Sequence, residues 1–226
     1  RLERKGKAIL IYLSGNKILG FHQRMSGKLL IVSRDFNDKH IRRRFRLSDG
    51  RDLVFHDVRK FGVIWYGSEE KVLTDKFFKS LGKAALVITP KEFESLITSK
   101  RRSSRGGAIK AFLLNQKNLA GIGNIMADEI LWRAKIHPEQ NIKILRYIEV
   151  KKLWRSIKFI LNRSIKMGGS TMRDWLHPDF SEGDYFEKRF VYDREGKKCF
   201  RCLNEILRKK IAGRSSYFCP RCQKLK

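Results

Sequence analysis

The sequence has no run of about 18 consecutive apolar residues, so it offers no candidate for a membrane-spanning helix. Nor does a basic amphipathic helix stand alone at either end to hold the chain on a bilayer. No stretch of this sequence reads as a secretory leader, and cysteines are few: four in 226 residues, all between Cys199 and Cys222. That clustering argues against a secreted disulfide framework and for a metal site in a cytoplasmic protein. Acids are scarce: 23 Asp and Glu face 51 Lys and Arg, a net charge of +28 spread from Arg1 to Lys226. A field of that sign asks for a polyanion, and nucleic acid is the economical partner. There are no internal repeats and no low-complexity segments. A hydrophobic content of 42% supports real cores in one large domain or two smaller ones. The first residue is Arg rather than Met, and Arg1–Lys7 runs straight into the apolar Ala8-Ile9-Leu10-Ile11-Tyr12-Leu13 with no lead-in. N-terminal sequence is therefore expected to be missing.

From Lys7 to about Tyr66 the pattern is antiparallel β, with turns at Ser14-Gly15-Asn16 and Ser48-Asp49-Gly50. Between them Ile41, Phe45 and Leu47 alternate with Arg42, Arg44 and Arg46, which predicts one core face and one face of guanidinium groups turned toward phosphate, or a merely solvated face. Residues 67–89 carry little signal beyond a short helix over Asp75–Leu81. After Thr89 the period becomes helical: Pro90 suits a first turn, and Phe93, Leu96 and Ile97 share a face. Arg101–Gly107 reads as a basic flexible connector and Ala108–Leu114 as a short helix. A long helix is predicted over Ile148–Met167, with Val150, Leu153, Ile157, Ile160 and Leu161 inward and Lys151, Lys152, Arg155, Lys158 and Arg163 outward. Gly168-Gly169 is its C-cap.

Gln116–Trp132 reads as a loop tightened by Gly121 and Gly123 that feeds an amphipathic helix. Asn124 is the predicted N-cap, Asp128 and Glu129 sit where the macrodipole favours acids, and His137-Pro138 stops the helix. Ala127, Ile130, Leu131 and Ala134 form its buried face. Bare backbone before free helix N–H groups suits a phosphate; a packing corner between helices is the alternative.

Cys199-x2-Cys202 and Cys219-x2-Cys222, sixteen residues apart, match a four-cysteine zinc site. Four thiolates leave no open position for catalysis, so one structural Zn2+ is expected. The intervening hairpin carries Arg208, Lys209, Lys210 and Arg214, either cations for a nucleic acid or the surface of a purely structural ribbon.

Several of these motifs together resemble the bacterial formamidopyrimidine-DNA glycosylase family. They are Asn118–Ile125 with Ala127-Asp128-Glu129, Gly213-Arg214 with Cys219-Pro220-x-Cys222-Gln223, His22–Gly27, Asp57–Gly62, Ala108-Ile109-Lys110 and Gly168–Thr171, in the family's order and over nearly the whole chain. The resemblance implies an α+β protein with an N-terminal antiparallel β-sandwich, a helix–two-turn–helix domain and a zinc-finger hairpin. The expected boundaries are 1–88, 89–184 and 185–226, with duplex DNA running across the cleft between the domains. It implies a base-excision glycosylase and AP lyase that everts an oxidised purine such as 8-oxoguanine or a formamidopyrimidine, cleaves its glycosidic bond and nicks the strand by β,δ-elimination. Eversion is needed because the bond is unreachable inside the stack.

By the same resemblance Met25, Arg59 and Phe61 fill the gap left by the base, although Met25 and Phe61 alone would read as core. Phosphate contacts fall to His40, Arg105, Lys110, Asn124 and Arg214. Lys7 is the strand lysine that assists proton transfer or positions the lesion phosphate, and Arg214 also serves δ-elimination. Gln23-Arg24 stands where the family usually has Leu-Gly, and Ala111 where it often has Pro. The Pro-Glu-Leu-Pro-Glu opening of the family, whose proline amine attacks the sugar, is not in this sequence, and a lyase of this kind needs such an amine. An N-terminally incomplete glycosylase is expected; a non-catalytic zinc-containing binder of damaged DNA or other nucleic acid is the alternative. Either is expected to be a monomer, cytoplasmic and associated with the nucleoid.

Overall fold

The computed structural model describes residues 1–103, 106–172 and 176–226. Its chain divides into two compact units, residues 1–79 with 164–188, and residues 80–163 with 189–226. In this division the zinc hairpin falls in the same unit as the helices, and residues 164–188 in the β unit.

The first unit is built on β1 (Leu2–Lys5), β2 (Ala8–Leu13), β3 (Lys17–His22), β4 (Gly27–Val32), β5 (Ile41–Arg46), β6 (Asp52–Asp57) and β7 (Val63–Ser68). Arg1–Lys7 forms a strand and a turn ahead of β2. Gly6 adopts φ 63, which lets β1 fold back on β2 with Lys5 opposite Ala8. Two antiparallel sheets result, ordered β1-β2-β3-β7 and β4-β6-β5. Their facing side chains, Leu19 and Phe21 from one sheet and Leu29 and Phe55 from the other, make the sandwich core. Phe21 is fully buried, with Phe45 and Phe55 ring centroids at 5.8 and 5.7 Å, and such burial contributes roughly 1.5–3 kcal/mol per side chain. On the other face of the second sheet Leu30, Val32 and Val54 receive Leu176, and the Ile31 N–H of edge strand β4 donates to the Pro178 carbonyl at 2.8 Å. Two short helices close the segment, α1 (Glu69–Leu73) and α2 (Lys76–Lys79), the latter inside the expected span and started by the Asp75 carboxylate, which accepts from the Phe77 N–H at 2.7 Å.

The arginine row of β5 is less uniform than its alternation suggests. A register shift between Ile41 and Arg43 breaks the period. Arg42 donates to the Asp57 carbonyl at 2.8 Å, and Arg44 pairs with the buried Asp52 at 2.6 Å. Arg43, Arg44 and Arg46 are all exposed, but only Arg44 of the three is in an ion pair among the described residues.

The second unit holds β8 (Lys83–Ala84), α3 (Pro90–Ser103), α4 (Ile109–Leu114), β9 (Leu119–Ala120), α5 (Asn124–Ala134), most of α6 (Tyr147–Lys166), β10 (Leu207–Ile211) and β11 (Arg214–Phe218). Thr89 and Glu92 start α3 reciprocally: the Thr89 N–H donates to Glu92 Oε2 at 2.9 Å and the Glu92 N–H to Thr89 Oγ1 at 3.3 Å. The helix runs on through Arg101-Arg102, residues expected in the connector, because Arg101 is anchored on the carbonyls of Ile142 and Leu145. Phe93 and Ile97 of α3 and Val150, Leu153, Ile157 and Ile160 of α6 are all buried, as their spacing requires. Leu161 is only half-buried, and Lys158 turns back to donate to the Leu86 carbonyl at 2.5 Å. Past α6, Gly168 (φ 68) and Gly169 (φ 88) form the expected cap, with the Gly169 N–H on the Ser164 carbonyl at 2.8 Å.

Candidate nucleic-acid interface and metal centre

In the β unit one buried acid organises two exposed loops. Asp57, at the end of β6, accepts from Ser26 Oγ at 2.6 Å and from the Arg59 N–H at 3.2 Å on one oxygen, and from the Gly62 N–H at 2.7 Å on the other. Burial alone would push this carboxyl up, but the hydrogen bonds from Ser26, Gly62, Arg59 and Lys60 outweigh it and hold the group below its ordinary value. Gly62 is needed because a Cβ there would lie 2.4 Å from the Phe55 ring. The two loops carry Met25 and Phe61, 67% and 53% exposed, with Arg59 between them: its Nη1 is 3.5 Å from Met25 Sδ and its guanidinium 4.9 Å from the Phe61 ring centroid. Two large apolar side chains held out into water by a rigid polar base are not core residues; the tertiary structure discards that alternative.

His40 lies just ahead of β5, its carbonyl accepting the Asp57 N–H at 3.0 Å and its ring 5.7 Å from that of His56. Lys7 is exposed in the turn between β1 and β2.

In the second unit α5 begins at Asn124, but the N-cap is Gly123, with no side-chain cap. The Asn124 side chain instead reaches the hairpin, its Nδ2 donating to the Ser215 carbonyl at 3.1 Å, while its Oδ1 is buried without a hydrogen-bond partner. The glycine loop is braced rather than bare at Gly121, whose N–H donates to Gln116 Oε1 at 2.9 Å; Gln116 Nε2 in turn donates to the Ile122 carbonyl at 2.9 Å. The first turn of α5 has no side-chain cap, so its N–H groups are the ones the helix end offers. The helix ends at Ala134 through a left-handed Lys135 (φ 59), earlier than His137-Pro138.

Asp128 and Glu129 do not serve the macrodipole. Both are fully buried: Glu129 accepts the N–H groups of Phe190, Val191 and Tyr192 at 2.8–3.0 Å, and Asp128 accepts that of Tyr217 at 3.0 Å. Lys110 corrects the expectation of a phosphate contact. Its ammonium has no exposure and sits 2.6 Å from Asp128, donating also to the Ser215 carbonyl at 2.9 Å and Ser216 Oγ at 2.7 Å. Burial pushes Asp128 up and Lys110 down, each toward its neutral form, and their mutual attraction opposes this. Lys110 is thus a strut between α4 and the hairpin. At the hairpin tip Ala212 and Gly213 (φ 50 and 75) make the two-residue turn that presents an exposed Arg214. Arg105 lies outside the described residues.

The four cysteines converge as their spacing predicts, with all Sγ atoms within 4.8 Å of one another. The donor set fits one structural Zn2+: four soft sulfurs, and N–H groups of Trp132 and Arg201 aimed at Cys199 Sγ at 3.4 and 3.5 Å, the environment of thiolates. Trp132 is itself held between the Phe190 ring, stacked at 4.5 Å, and the Arg201 guanidinium at 3.7 Å. Asp57, Ser26, Gln116 and Trp132 lie inside the stretches that the sequence brings forward, but no local pattern gives any of them a role. For Asp128 and Glu129 a signal existed: two acids flanked by the buried Ala127, Ile130 and Leu131.

Among the described residues no helix is long and apolar enough to cross a membrane. Residues 1–64 match the formamidopyrimidine-DNA glycosylase N-terminal domain, 82–175 the H2TH domain of the same glycosylases, and 196–225 the zinc finger found in FPG and IleRS. The formamidopyrimidine-DNA glycosylase of Pelotomaculum thermopropionicum is 40% identical over 100% of this chain and 81% of its own length. The crystal structure of the MutM (Fpg) protein of Thermus thermophilus superposes with a TM-score of 0.89 at 32% identity, covering 100% of this chain and 83% of that one. That of Lactococcus lactis Fpg, in complex with DNA containing an abasic site, does so with 0.88 at 37% identity, covering 99% and 81%. The chain belongs to the formamidopyrimidine-DNA glycosylase family.

Proposed function

We propose that this protein is a base-excision DNA glycosylase and AP lyase that removes oxidised purines, 8-oxoguanine and formamidopyrimidines, from duplex DNA and nicks the strand by β,δ-elimination. The observation that carries the reading is the exposed Met25–Arg59–Phe61 cluster on its Asp57–Ser26 base. An apolar wedge flanked by a guanidinium can fill the gap of an everted base, offsetting part of an unstacking cost of about a few kcal/mol per step. Support comes from relatives: Lactococcus lactis Fpg has been solved with DNA containing an abasic site and, as a variant, with Fapy-dG DNA.

In this reading Arg59 pairs with the base left opposite the gap. The uncapped first turn of α5 with Asn124 grips a phosphate, as do His40, Arg105 and Arg214. Lys7 assists proton transfer or orients the lesion phosphate, and Arg214 serves the δ step. The four cysteines hold a Zn2+ that shapes the hairpin and takes no part in bond breaking. The protein works as a monomer in the cytoplasm, on the nucleoid.

Borohydride trapping tests this with the full encoded protein on an 8-oxoguanine duplex: a covalent amine–sugar adduct and a nicked strand are expected. Salt-sensitive duplex binding with no lesion preference, no adduct and no nick would overturn it in favour of a non-catalytic binder.

A further inference from the structure

The exposed side of α6 carries cations and rings in a row that the duplex reading does not use. Tyr147, Lys151, Arg155 and Phe159 follow one another at four-residue steps, about 6 Å apart along the helix. Tyr147 and Phe159, the ends of the row, are 54% and 39% exposed. Lys152 and the exposed Ile148 flank it. The ammonium of Lys151 lies 4.2 Å from the Tyr147 ring centroid, and the guanidinium of Arg133 lies 3.3 Å from that of Phe159. Glu149, the one acid of the helix, is taken up by Arg146 and Lys226. Among the described residues none of Lys151, Lys152 or Arg155 is in an ion pair.

We propose that this face is a second nucleic-acid site, specific for single strands, in which Tyr147 and Phe159 stack on bases and Lys151, Lys152, Arg155 and Arg133 take the phosphates between them. Charge complementarity names a polyanion, because every charged side chain in and beside the row, Lys151, Lys152, Arg155 and Arg133, is a cation. The rings narrow it further. Bases of a duplex are already stacked on one another and would leave both aromatics idle, whereas unpaired bases offer their faces, and aromatic platforms between cations are how single strands are held without sequence preference. The inference does not rest on the lesion chemistry, since these side chains belong to none of the loops assigned to it.

Fluorescence anisotropy with labelled oligo(dT), using the zinc-loaded full protein first saturated with a duplex containing a tetrahydrofuran abasic analogue, tests it. Oligo(dT) is expected to bind the saturated protein. Tyr147→Ala/Phe159→Ala should weaken that binding about tenfold or more, and Lys151→Glu/Arg155→Glu should abolish it while duplex affinity stays within about twofold. Lys151 and Arg155 are on the exposed helix surface, so thermal unfolding of that variant should match the parent; Phe159 packs against Arg133, so the aromatic variant is assayed well below its own melting temperature. Complete displacement of oligo(dT) by the duplex, or parental affinity in both variants, overturns the proposal. Capture of polyglutamate but not oligo(dT) overturns it too and marks an acidic protein as the partner.

Discussion

Asp57 shows how one side chain can set both the shape and the acid limit of a site. Its carboxylate accepts three hydrogen bonds that tie the Ser26 loop to the Arg59–Gly62 turn. The folded state holds its pKa below the unfolded value, so the stabilisation is complete above about pH 3.9 and is lost as pH falls through the depressed folded pKa. Asp57→Asn replaces one acceptor oxygen by a donor opposite the Ser26 hydroxyl or the Gly62 N–H. We expect a loss of about 2 kcal/mol at neutral pH, and a variant whose stability falls less than the parent's on acidification, in urea titrations across that range. Phe61→Ala should behave oppositely. Its ring is half in water, so melting should change by less than about 1 kcal/mol while excision of 8-oxoguanine slows, which separates an exposed wedge from a core residue.

At the scale of elements, α5 is a hub because its inward acids meet main chain from distant segments. Glu129 satisfies three consecutive N–H groups, and Glu129→Ala would leave them buried and unpaired, a loss on the order of 3 kcal/mol or more by denaturant unfolding. The β10–β11 hairpin makes a contrary prediction. Ala212 occupies the first central position of its turn at φ 50, where a Cβ is strained by about 1–2 kcal/mol. Ala212→Gly is therefore expected to stabilise the zinc module by about 0.5–1 kcal/mol after the added chain entropy of glycine is subtracted, measurable as a slower loss of zinc to chelator.

For the whole molecule the zinc site and the charge dominate. Trp132, Asp128 and Glu129 join the cysteine module to α5, so chelation should do more than unfold residues 199–222: Trp132 fluorescence and helical circular dichroism should change together. A dichroism signal indifferent to chelator would show that the helices stand without the metal. The charge of +28 predicts duplex binding that weakens steeply with salt, with a log–log slope reduced by about 1 in Arg214→Ala if that side chain neutralises one phosphate.

Periodicity and spacing by themselves determined a large part of this protein: the β-rich stretch from Lys7 to about Tyr66, α6 and its glycine cap, the four zinc ligands, and a basic field calling for nucleic acid. These are local or compositional properties, and a helix face or a Cys-x2-Cys pair is legible wherever it occurs. Tertiary structure alone decided what the polar groups inside are for. Lys110 reads as a phosphate ligand until its partners, 105 and 106 residues further on, enclose it, and Asp128 meets Tyr217 across 89 residues. Met25 and Phe61 read as core until the fold leaves them in water. A buried charge is tolerated only where its partners converge, and that convergence depends on packing between segments far apart in the chain, which no local pattern encodes.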